Sequence, residues 1–333
     1  MKKYKAYGIG AALVDTEIKV QDQDLALMNV EKGLMTLVDQ ARQKELLGHL
    51  EGHLVKANHA SGGSAGNSMI ATAQFGGPTF MSCKVANDAD GDIYIADLET
   101  AGVDHCLAGD RETGTTGKCL VMITPDAERS MNTFLGISET LSVDQLDADA
   151  IAASEYLYLE GYLVTSPTGR AAAIRAREIA EAAGVKTALS FSDPGMVEFF
   201  RDGIAEMIGK RVNLVFCNRE EALGWAQSDD IDEAVVKLRE VADNFVITLG
   251  SEGALTWDGS ELAKIPPHKV HAVDTNGAGD MFAGAFLYAV TAGEDFATAG
   301  RFASLCAGKI VANYGPRLPA ADYAALRDEF FGG

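Results

Sequence analysis

Basic residues are scarce in this chain of 333 residues. Lysine and arginine together number 28, against 48 aspartates and glutamates, which leaves a formal net charge of −20. A field of that sign repels nucleic acid and anionic membrane surfaces, so we expect neither as a partner. A polyanionic ligand would have to be held by local devices, such as a cation, a few basic side chains or helix N-termini.

Cysteines are also few, numbering 5, and no two of them form a Cys-x-x-Cys pair. This spacing gives no sign of a disulfide framework or a structural zinc site, and it is typical of a reducing compartment. Long apolar runs are missing too, since no stretch reaches the roughly 18 apolar residues of a membrane-spanning helix. The segment Met1–Gly10 lacks the apolar core of a signal peptide. We therefore expect a cytoplasmic protein.

Apolar segments of strand length alternate with segments of helical pattern across much of the chain. The apolar segments include Tyr7–Val14, Thr79–Val85, Cys119–Ile123, Tyr156–Leu159, Thr187–Phe191, Val212–Cys217 and Phe245–Leu249. Thr168–Ala183 is typical of the helices, because its apolar residues recur at helical spacing and Gly184 follows at the position favoured for a C-cap. This order predicts an α/β fold with a mostly parallel sheet that is covered on both faces.

Two polar segments interrupt that alternation, one near residues 15–55 and one near residues 110–138. Gly114, Gly117 and Pro125 break up the second segment. We expect both excursions to pair into a small separate sheet or lid, attached to a single domain that spans residues 1–333. No linker rich in Pro, Gly or Ser and no internal repeat divides the chain.

The most specific feature is the segment Asp274–Asp280, which precedes an apolar stretch of helical length. Small residues at a helix N-terminus, here Gly277, Ala278 and Gly279, leave backbone N–H groups directed outward at the positive end of the helix dipole. Such a site binds anions and would stabilise charge spread over phosphoryl oxygens. Asp280 is a candidate for a carboxylate that takes a proton from a hydroxyl, although an Asp in a first turn also caps helices.

Two other glycine-rich segments are candidate ligand loops. Gly8–Leu13 follows an apolar strand but lacks the third glycine of a dinucleotide-binding fingerprint. Ser61–Asn67 precedes a predicted helix, and its glycines would let a ligand approach the backbone while Asn67 faces the same ligand. A flexible strand-to-helix loop is the alternative for the second segment.

These segments resemble the signatures of the ribokinase-like (PfkB) carbohydrate and nucleoside kinases. Asp274–Asp280 is similar to the C-terminal signature, and Gly62–Asn67 followed by Phe75–Gly77 is similar to the N-terminal one. Lys84–Gly91 is similar to the segment that comes next in that family. The resemblance implies a ribokinase-like three-layer α/β/α fold with a small β lid over the acceptor. It also implies a kinase that uses ATP and Mg²⁺ to phosphorylate a primary hydroxyl.

The resemblance assigns roles on the phosphate side of the site. Asp280 would be the catalytic base, and Gly277–Gly279 would form the anion hole. Asn218 and Glu221 match the family's Asn-x-x-Glu motif and would organise magnesium, with Glu221 acting through a water molecule. Alone, that motif also fits a helix whose acidic residues face solvent. The positions that match the family's nucleotide loop are Thr248, Gly250 and Gly253.

On the acceptor side, Asp15 matches the family carboxylate that holds two hydroxyls, assisted by Gly63 and Asn67. Arg129 matches an arginine that the adenosine kinase branch carries over the transferred phosphate, and a surface arginine among acidic neighbours is an equal alternative. Tyr162 falls where adenosine kinases carry an aromatic side chain against the purine. A place in the hydrophobic core is the alternative for aromatic residues in that stretch.

The long polar segment after Asp15 and the Gly114–Gly117 turn resemble the adenosine kinase branch rather than ribokinase proper. Glu160 departs from the small residue expected in that branch, and a carboxylate there would favour a purine with donor edges, such as guanosine. Asp274 and Ala312–Gly315 lie where some family members bind a monovalent cation, so potassium is a further candidate cofactor.

We therefore expect a phosphotransferase with an alcohol group as acceptor, one that transfers the γ-phosphate of ATP to the 5′-hydroxyl of a ribonucleoside in purine salvage. Adenosine is the first candidate. A kinase of ribose, fructose or 2-keto-3-deoxygluconate is the alternative among enzymes, and a non-catalytic nucleotide- or nucleoside-binding protein is the alternative from another class. The intact Asp280 and Gly277–Gly279 argue against the latter. Either a monomer or a homodimer fits the family.

Overall fold

A computed structural model describes residues 2–50, 60–107 and 109–332 of the chain. The strands are β1 (Tyr4–Ile9), β2 (Leu13–Lys19), β3 (Met35–Leu37), β4 (Ala60–Gly62), β5 (Thr79–Ser82), β6 (Val103–His105), β7 (Gly117–Ile123), β8 (Arg129–Phe134), β9 (Ser154–Glu160), β10 (Lys186–Ser190), β11 (Val212–Asn218), β12 (Ala242–Thr248), β13 (Ala254–Trp257) and β14 (Leu262–Ile265). The α-helices are α1 (Asp22–Leu27), α2 (Gln40–Leu50), α3 (Ser64–Gln74), α4 (Ala89–Ala101), α5 (Ala148–Ala152), α6 (Pro167–Ala182), α7 (Pro194–Phe199), α8 (Arg201–Ile208), α9 (Arg219–Ala226), α10 (Ile231–Val241), α11 (Ala278–Ala292), α12 (Phe296–Val311) and α13 (Ala320–Phe331).

The larger sheet has 9 strands in the described residues, in the order β14-β13-β12-β11-β10-β9-β1-β5-β6. The strands from β12 to β6 in that order pair in parallel, and β13 and β14 add an antiparallel edge. Alternate residues of one strand supply two separate cores, since Tyr158 of β9 packs with α3 and α11 while Leu157 packs with α6 and α8. The predicted three-layer α/β/α fold is confirmed.

One predicted strand is two strands in the structure. The apolar segment Tyr7–Val14 is divided between β1 in the larger sheet and β2 in the smaller one. The break lies at Gly10–Ala12, where a Cβ on Gly10 would overlap the carboxylate of Glu160. Ala11 and Ala12 are buried where the chain passes from one sheet to the other. The sequence is therefore apolar without interruption from β1 to β2, and nothing in its composition indicates the change of sheet.

The smaller sheet, which we call the lid, has 5 strands in the described residues, in the order β3-β8-β7-β2-β4. Its outer face is covered by α1 and α2, whose Leu25 and Leu46 pack against Ile18 and Met122 of the strands. Its inner face turns toward the body. Part of the predicted lid segment near residues 15–55 lies outside the described residues. Among the helices that the structure describes, none is long and apolar enough to cross a membrane.

Candidate active site

A cleft of about 720 Å³ lies between the lid and the carboxyl ends of the parallel strands. Glu160, Asn218 and Thr248, the last residues of β9, β11 and β12, all line it. Open α/β sheets bind ligands at this edge, and small-molecule sites have volumes of about 300–1,000 Å³. The cleft is therefore the candidate active site.

Nearly all of the predicted site residues meet in this cleft. Those that line it are Asp15, Gly63, Asn67, Arg129, Tyr162, Asn218, Glu221, Thr248, Gly250, Gly253, Gly277, Ala278, Gly279 and Asp280. Asp274 is the exception, because it is fully buried and does not line the cleft. The fold thus brings residues from both ends of the chain to one place.

Asp280 lies in the first turn of α11, which begins immediately after Gly277. Gly277 has φ +72°, and a Cβ there would collide with Pro316, so only glycine fits. The Asp280 carboxylate accepts hydrogen bonds from Ser64 Oγ at 2.6 Å and from Asn67 Nδ2 at 3.0 Å. Burial raises the pKa of Asp280, while these hydrogen bonds and the charge of Arg129 lower it. The result is an oriented carboxylate of raised basicity, as a general base requires.

The start of α11 also presents backbone donors. The Ala278 N–H donates to the Thr275 carbonyl at 3.2 Å, and the Met281 N–H donates to the Gly277 carbonyl at 2.8 Å. Gly279 and Asp280 lie between these two residues, and their N–H groups have no acceptor within the helix. Gly279 is exposed to the cleft, with open space where a side chain would stand. Amides of this kind at the positive end of a helix dipole can bind an anion, and the predicted anion hole stays a prediction.

Asp274 braces this loop from behind. Its Oδ1 accepts the Asn276 N–H at 2.8 Å, and its Oδ2 accepts the Gly315 N–H at 2.9 Å. One oxygen therefore bonds within the loop 274–277, which would bind phosphate if the predicted role holds, and the other joins this loop to the segment after α12. In the part of the chain that the structure describes, no group of three or more His, Cys, Asp or Glu side chains is arranged to hold a metal ion. Potassium near Asp274 stays a prediction.

Asn218 and Glu221 form a reciprocal cap at the start of α9. The Asn218 Oδ1 accepts the Glu221 N–H at 2.8 Å, and the Glu221 carboxylate accepts the Asn218 N–H at 2.9 Å and its Nδ2–H at 2.8 Å. Glu221 is buried in the cleft wall, whereas Glu220 is exposed. Burial raises the pKa of Glu221 to about 8. A solvent-facing role for Glu221 is thus excluded, and a cation in the cleft would offset the cost of its charge.

Small residues shape the far end of the cleft, beyond Thr248. Gly250 and Gly253 have φ of +56° and +95°, and a Cβ on Gly253 would collide with the Ile265 carbonyl. Gly308 of α12 faces His268 closely enough that a Cβ there would lie 2.8 Å from the His268 Cβ. At Gly253 and Gly308, therefore, the neighbouring residues leave no room for a Cβ atom.

The acceptor end holds two polar atoms that lack partners. Asp15 Oδ1 and Asn67 Oδ1 are buried and have no hydrogen-bond donor among the residues that the structure describes. Burial, reinforced by the charges of Glu17 and Asp280, raises the pKa of Asp15 to about 8, and Arg317 opposes this rise. Gly62, on the neighbouring strand, leaves the room that the Asp15 carboxylate occupies.

The inner face of the lid forms the cleft's roof, and it is largely apolar. Its apolar residues are Leu13, Met35, Leu37, Cys119, Met131 and Leu135. Asp15, Thr133 and Arg129 are polar residues of the lid strands that also line the cleft. The Nε of Arg129 is buried, and the charge of Arg129 lowers the pKa of both Asp280 and Glu221. The guanidinium therefore lies in the cleft rather than on the surface beside acidic neighbours.

The sequence model of the pfkB family carbohydrate kinases matches residues 33–322. The chain belongs to the pfkB family. This PfkB protein is accordingly a phosphotransferase that acts on an alcohol group, as its relatives' names also indicate.

Three relatives are similar to the PfkB protein over nearly its whole length. The structure of an adenosine kinase from Sinorhizobium meliloti is 33% identical with a TM-score of 0.92, over 98% of this chain and 99% of that one. The structure of a probable sugar kinase from Rhizobium etli CFN 42 is 31% identical with a TM-score of 0.93, over 99% and 100%. An adenosine kinase from Schizophyllum commune is 28% identical over 325 residues, which are 89% of this chain and 91% of that one. The resemblance to the adenosine kinase branch is confirmed.

Two positions of the PfkB protein stand at the cleft's inner wall, beside β9. Tyr162 is half-buried, lines the cleft and donates from its hydroxyl to the Ser192 carbonyl at 3.2 Å. Glu160 differs from its predicted role beside a purine. Its Oε1 accepts the Ala11 N–H at 3.1 Å and its Oε2 accepts the Ala65 N–H at 2.8 Å. The Glu160 carboxylate thus joins two segments that lead into the lid, and it gives no support to a guanosine preference.

Sequence reasoning missed Ser64, which lines the cleft, and Asp193, which is buried outside the cleft lining but interacts with the charge of Arg129. Ser64 bonds Asp280 from the first position of α3, inside a segment that the glycine pattern had already marked. Asp193 is buried at the start of α7, where it accepts the Gly195 N–H at 2.8 Å, and the nearby charge of Arg129 lowers its pKa against the effect of burial. The signal for Asp193 was available, because Asp followed by proline is typical of a helix start.

Proposed function

We propose that this PfkB kinase transfers the γ-phosphate of ATP to the 5′-hydroxyl of a ribonucleoside, with adenosine as the first candidate. The observation that carries the proposal is that apolar residues of the lid's inner face line the same cleft as two unpartnered acceptor atoms, Asp15 Oδ1 of lid strand β2 and Asn67 Oδ1 of α3. The unpartnered polar atoms fit the ribose of a nucleoside, and the apolar residues fit its base.

The unpartnered atoms suit a vicinal diol. Asp15 Oδ1 and Asn67 Oδ1 are buried acceptors that lack donors within the described chain. A buried polar group without a partner costs about 1–3 kcal/mol, and native proteins keep few of them without a reason. The two ribose hydroxyls would supply the missing donors, and Asn67 Nδ2 would still hold Asp280. The acceptor would then lie directly beside the candidate base.

The apolar lid face favours a nucleoside over a free sugar. A free sugar carries hydroxyls around its ring, and those that met Leu13, Met131 or Leu135 would lose water without gaining a partner. A purine instead presents two broad apolar faces. A hydroxyl pushed against a pocket that cannot bond it is disfavoured, whereas an aromatic ring gains from the same burial.

The chemistry follows from the residues at the start of α11. Asp280 would take the proton of the 5′-hydroxyl as that oxygen attacks the γ-phosphorus, and the bond from the γ-phosphorus to the β–γ bridging oxygen breaks as ADP forms. Asp280 would then release the proton to solvent when the products leave. The N–H groups near Gly279 and the Arg129 guanidinium would stabilise the charge on the transferred phosphoryl group. Asn218 and Glu221 fit magnesium through water, since the ion keeps several waters and each carboxylate oxygen retains a free lone pair. Magnesium, when bound, would neutralise charge on the nucleotide phosphates.

We infer further features of the protein's setting. Each of the cysteines Cys83, Cys106, Cys119, Cys217 and Cys306 is a free thiol, which fits a reducing compartment such as the cytoplasm and a role in purine salvage. In the residues that the structure describes, α1 and α2 of the same chain cover the outer face of the lid, so that part of the sheet presents no bare apolar face to a second copy. We therefore favour a monomer over a homodimer.

A coupled assay of ADP release tests the proposal. The acceptors are adenosine, guanosine, inosine, cytidine, ribose, fructose and 2-keto-3-deoxygluconate, each with ATP and Mg²⁺, and the Asp280→Asn protein is the blank. Turnover on one or more nucleosides with little on free sugars is the expected result. Turnover on a free sugar alone would establish the sugar-kinase alternative. ATP binding with no turnover on any acceptor would favour the non-catalytic binding protein.

A further inference from the structure

Strand β2 of the lid directs three side chains toward the body at alternate positions. Asp15 reaches the acceptor end of the cleft, Glu17 reaches the phosphate-binding loop, and Lys19 lies over the ring of Tyr314, 3.8 Å from its centre. The period of two is that of one strand face. The residue that would bind the acceptor and the residue that contacts the loop are thus carried on one rigid element.

The lid contacts the phosphate-binding loop immediately before the anion site. Asn276 Nδ2 donates to Glu17 Oε1 at 3.1 Å, and Thr275 Oγ1 donates to the Ala127 carbonyl in the β7–β8 turn at 3.0 Å. Thr275 and Asn276 directly precede Gly277. One lid strand and one lid turn therefore hold the residues that lead into the start of α11.

The body holds the same loop from the other side. The Asn276 N–H donates to Asp274, and Gly277 is packed against Pro316. The Asn276 backbone is thus held within the loop by Asp274, whose other oxygen accepts the Gly315 N–H of the body, and the Asn276 side chain is held by the lid. Moving the lid away would break the hydrogen bond from the Asn276 side chain to Glu17 and leave only the hydrogen bond from the Asn276 backbone to Asp274.

Placing the Glu17 carboxylate at this position costs free energy, and this cost argues that the residue has a functional role. Glu17 is half-buried, and its carboxylate lies close enough to Asp274 and Asp15 for their charges to interact. Burial raises the pKa of Glu17, and the Asn276 hydrogen bond and the charge of Arg317 oppose this rise. A carboxylate among other carboxylates, kept in place by one amide, is not an arrangement that packing alone would favour.

We propose that Glu17 is a positioning residue that couples capture of the acceptor to assembly of the phosphate-binding loop. When the lid is seated over the acceptor, Glu17 holds Asn276 and thereby sets the direction of the N–H groups that follow it. The effect acts on the rate of transfer rather than on acceptor affinity. The inference rests on the proposed function for the identity of the acceptor, and the contact itself does not depend on it.

Three variants of β2 test this coupling. Glu17→Ala removes the acceptor atom for Asn276, Glu17→Gln retains a carbonyl oxygen for the same bond, and Lys19→Ala is the matched control on the same strand face. We expect Glu17→Ala to lower kcat about ten- to a hundredfold, because a displacement of about 1 Å in a reacting group costs that much. Glu17→Gln should restore most of the rate, and Lys19→Ala should leave it unchanged. The dissociation constant of the acceptor, measured by calorimetry, should change less than about threefold in all of them.

Two further measurements separate positioning from a general loss of structure. Amide hydrogen exchange of the segment 274–281 should be faster in Glu17→Ala and unchanged in Lys19→Ala. Asn276→Ala approaches the same bond from the other side, so the Glu17→Ala/Asn276→Ala double variant should be no slower than Asn276→Ala alone.

The outcomes are distinguishable from those of the proposed function. A Glu17→Ala protein with wild-type kcat and wild-type exchange in the loop would overturn the inference. So would a large rise in the acceptor's dissociation constant with kcat preserved, since Glu17 would then be a substrate ligand. If the wild-type protein turned over no nucleoside, the proposed function would fail, and the loop exchange in Glu17→Ala would still decide whether the lid holds the loop.

Discussion

The two faces of the lid sheet are built from alternate residues of the same strands. They differ in how completely their side chains are covered or hydrogen-bonded by the rest of the chain. On the outer face, Leu120 and Met122 of β7 are sealed under α1 and α2. On the inner face, Cys119 of the same strand lines an open cleft. Beside it, Asp15 keeps an acceptor atom that has no partner in the described chain. The outer face serves folding, and the inner face is left incomplete for a ligand.

The largest expected effect on kcat comes from replacing Asp280, whose carboxylate lies in the cleft that the inner face covers. Asp280→Asn should leave folding and acceptor binding intact, because an amide fits the same space and still accepts a hydrogen bond. It should lower kcat by about two to four decades, which is the range that general base catalysis supplies. Steady-state kinetics with the preferred acceptor measures this. Near-normal turnover by the variant would rule out Asp280 as the base.

A pair of truncations contrasts the two faces directly. Leu46→Ala removes a fully buried side chain beneath the outer face and should cost about 2–5 kcal/mol of stability. Met131→Ala, on the inner face, removes a half-buried side chain beside the cleft, and should cost less stability but raise the KM for a nucleoside. Denaturant unfolding and kinetics on both proteins provide the comparison. Equal stability losses with no change in KM would mean that the inner face serves only packing.

The unpartnered carboxylate of Asp15 predicts a pH dependence. Its pKa is raised to about 8 in the folded protein, so above its ordinary pKa the unfolded chain loses a proton that the folded chain keeps. The stability from this group is complete below about pH 4 and is lost as the pH rises through about 8. Glu221 and Glu160, with pKa values raised to about 8 and about 7, act in the same direction.

Asp15→Asn should therefore make the fall in stability with rising pH shallower, while it weakens nucleoside binding. Thermal unfolding of the ligand-free protein from about pH 5.5 to about pH 9 measures the slope. Glu128→Gln is the appropriate control, since Glu128 is exposed and lies outside the cleft lining. An Asp15→Asn slope equal to that of the wild-type protein would contradict the raised pKa.

The smallest expected effect compares two exposed leucines. Leu37 lies on the inner face and lines the cleft, whereas Leu27 lies in α1 on the outer side, and they are 44% and 82% exposed. Leu37→Ser should raise the KM for a nucleoside a few-fold through lost apolar contact, at about 25 cal/mol per Å². Leu27→Ser should change nothing. Kinetics on both decides, and equal effects would mean that the lid's inner face does not contact the base.

Much of the fold could be predicted because the signals are local. Strands such as β11 and helices such as α6 appear in the sequence as continuous apolar runs and as helical periodicity with a terminal glycine. The split between β1 and β2 could not be predicted, since Ala11 and Ala12 are as apolar as a strand and only the close approach of Glu160 to Gly10 marks the crossing.

The candidate site likewise has some features that could be predicted from local sequence and others that depend on contacts between distant residues. Asp280, Asn67 and Glu221 lie in one cleft, as the resemblance of their motifs to the PfkB family implied. The environment of Glu160 and the contact between Glu17 and Asn276 join residues far apart in sequence. No local pattern encodes such pairs, so only the folded chain reveals them.

The central claim is that the lid's inner face selects a nucleoside. The most direct test is kcat/KM for adenosine against kcat/KM for free ribose, with ATP and Mg²⁺ and the wild-type protein. We predict a preference for adenosine of at least about a hundredfold, since an aromatic base buries enough apolar area for several kcal/mol. Equal values, or a preference for ribose, would contradict the account.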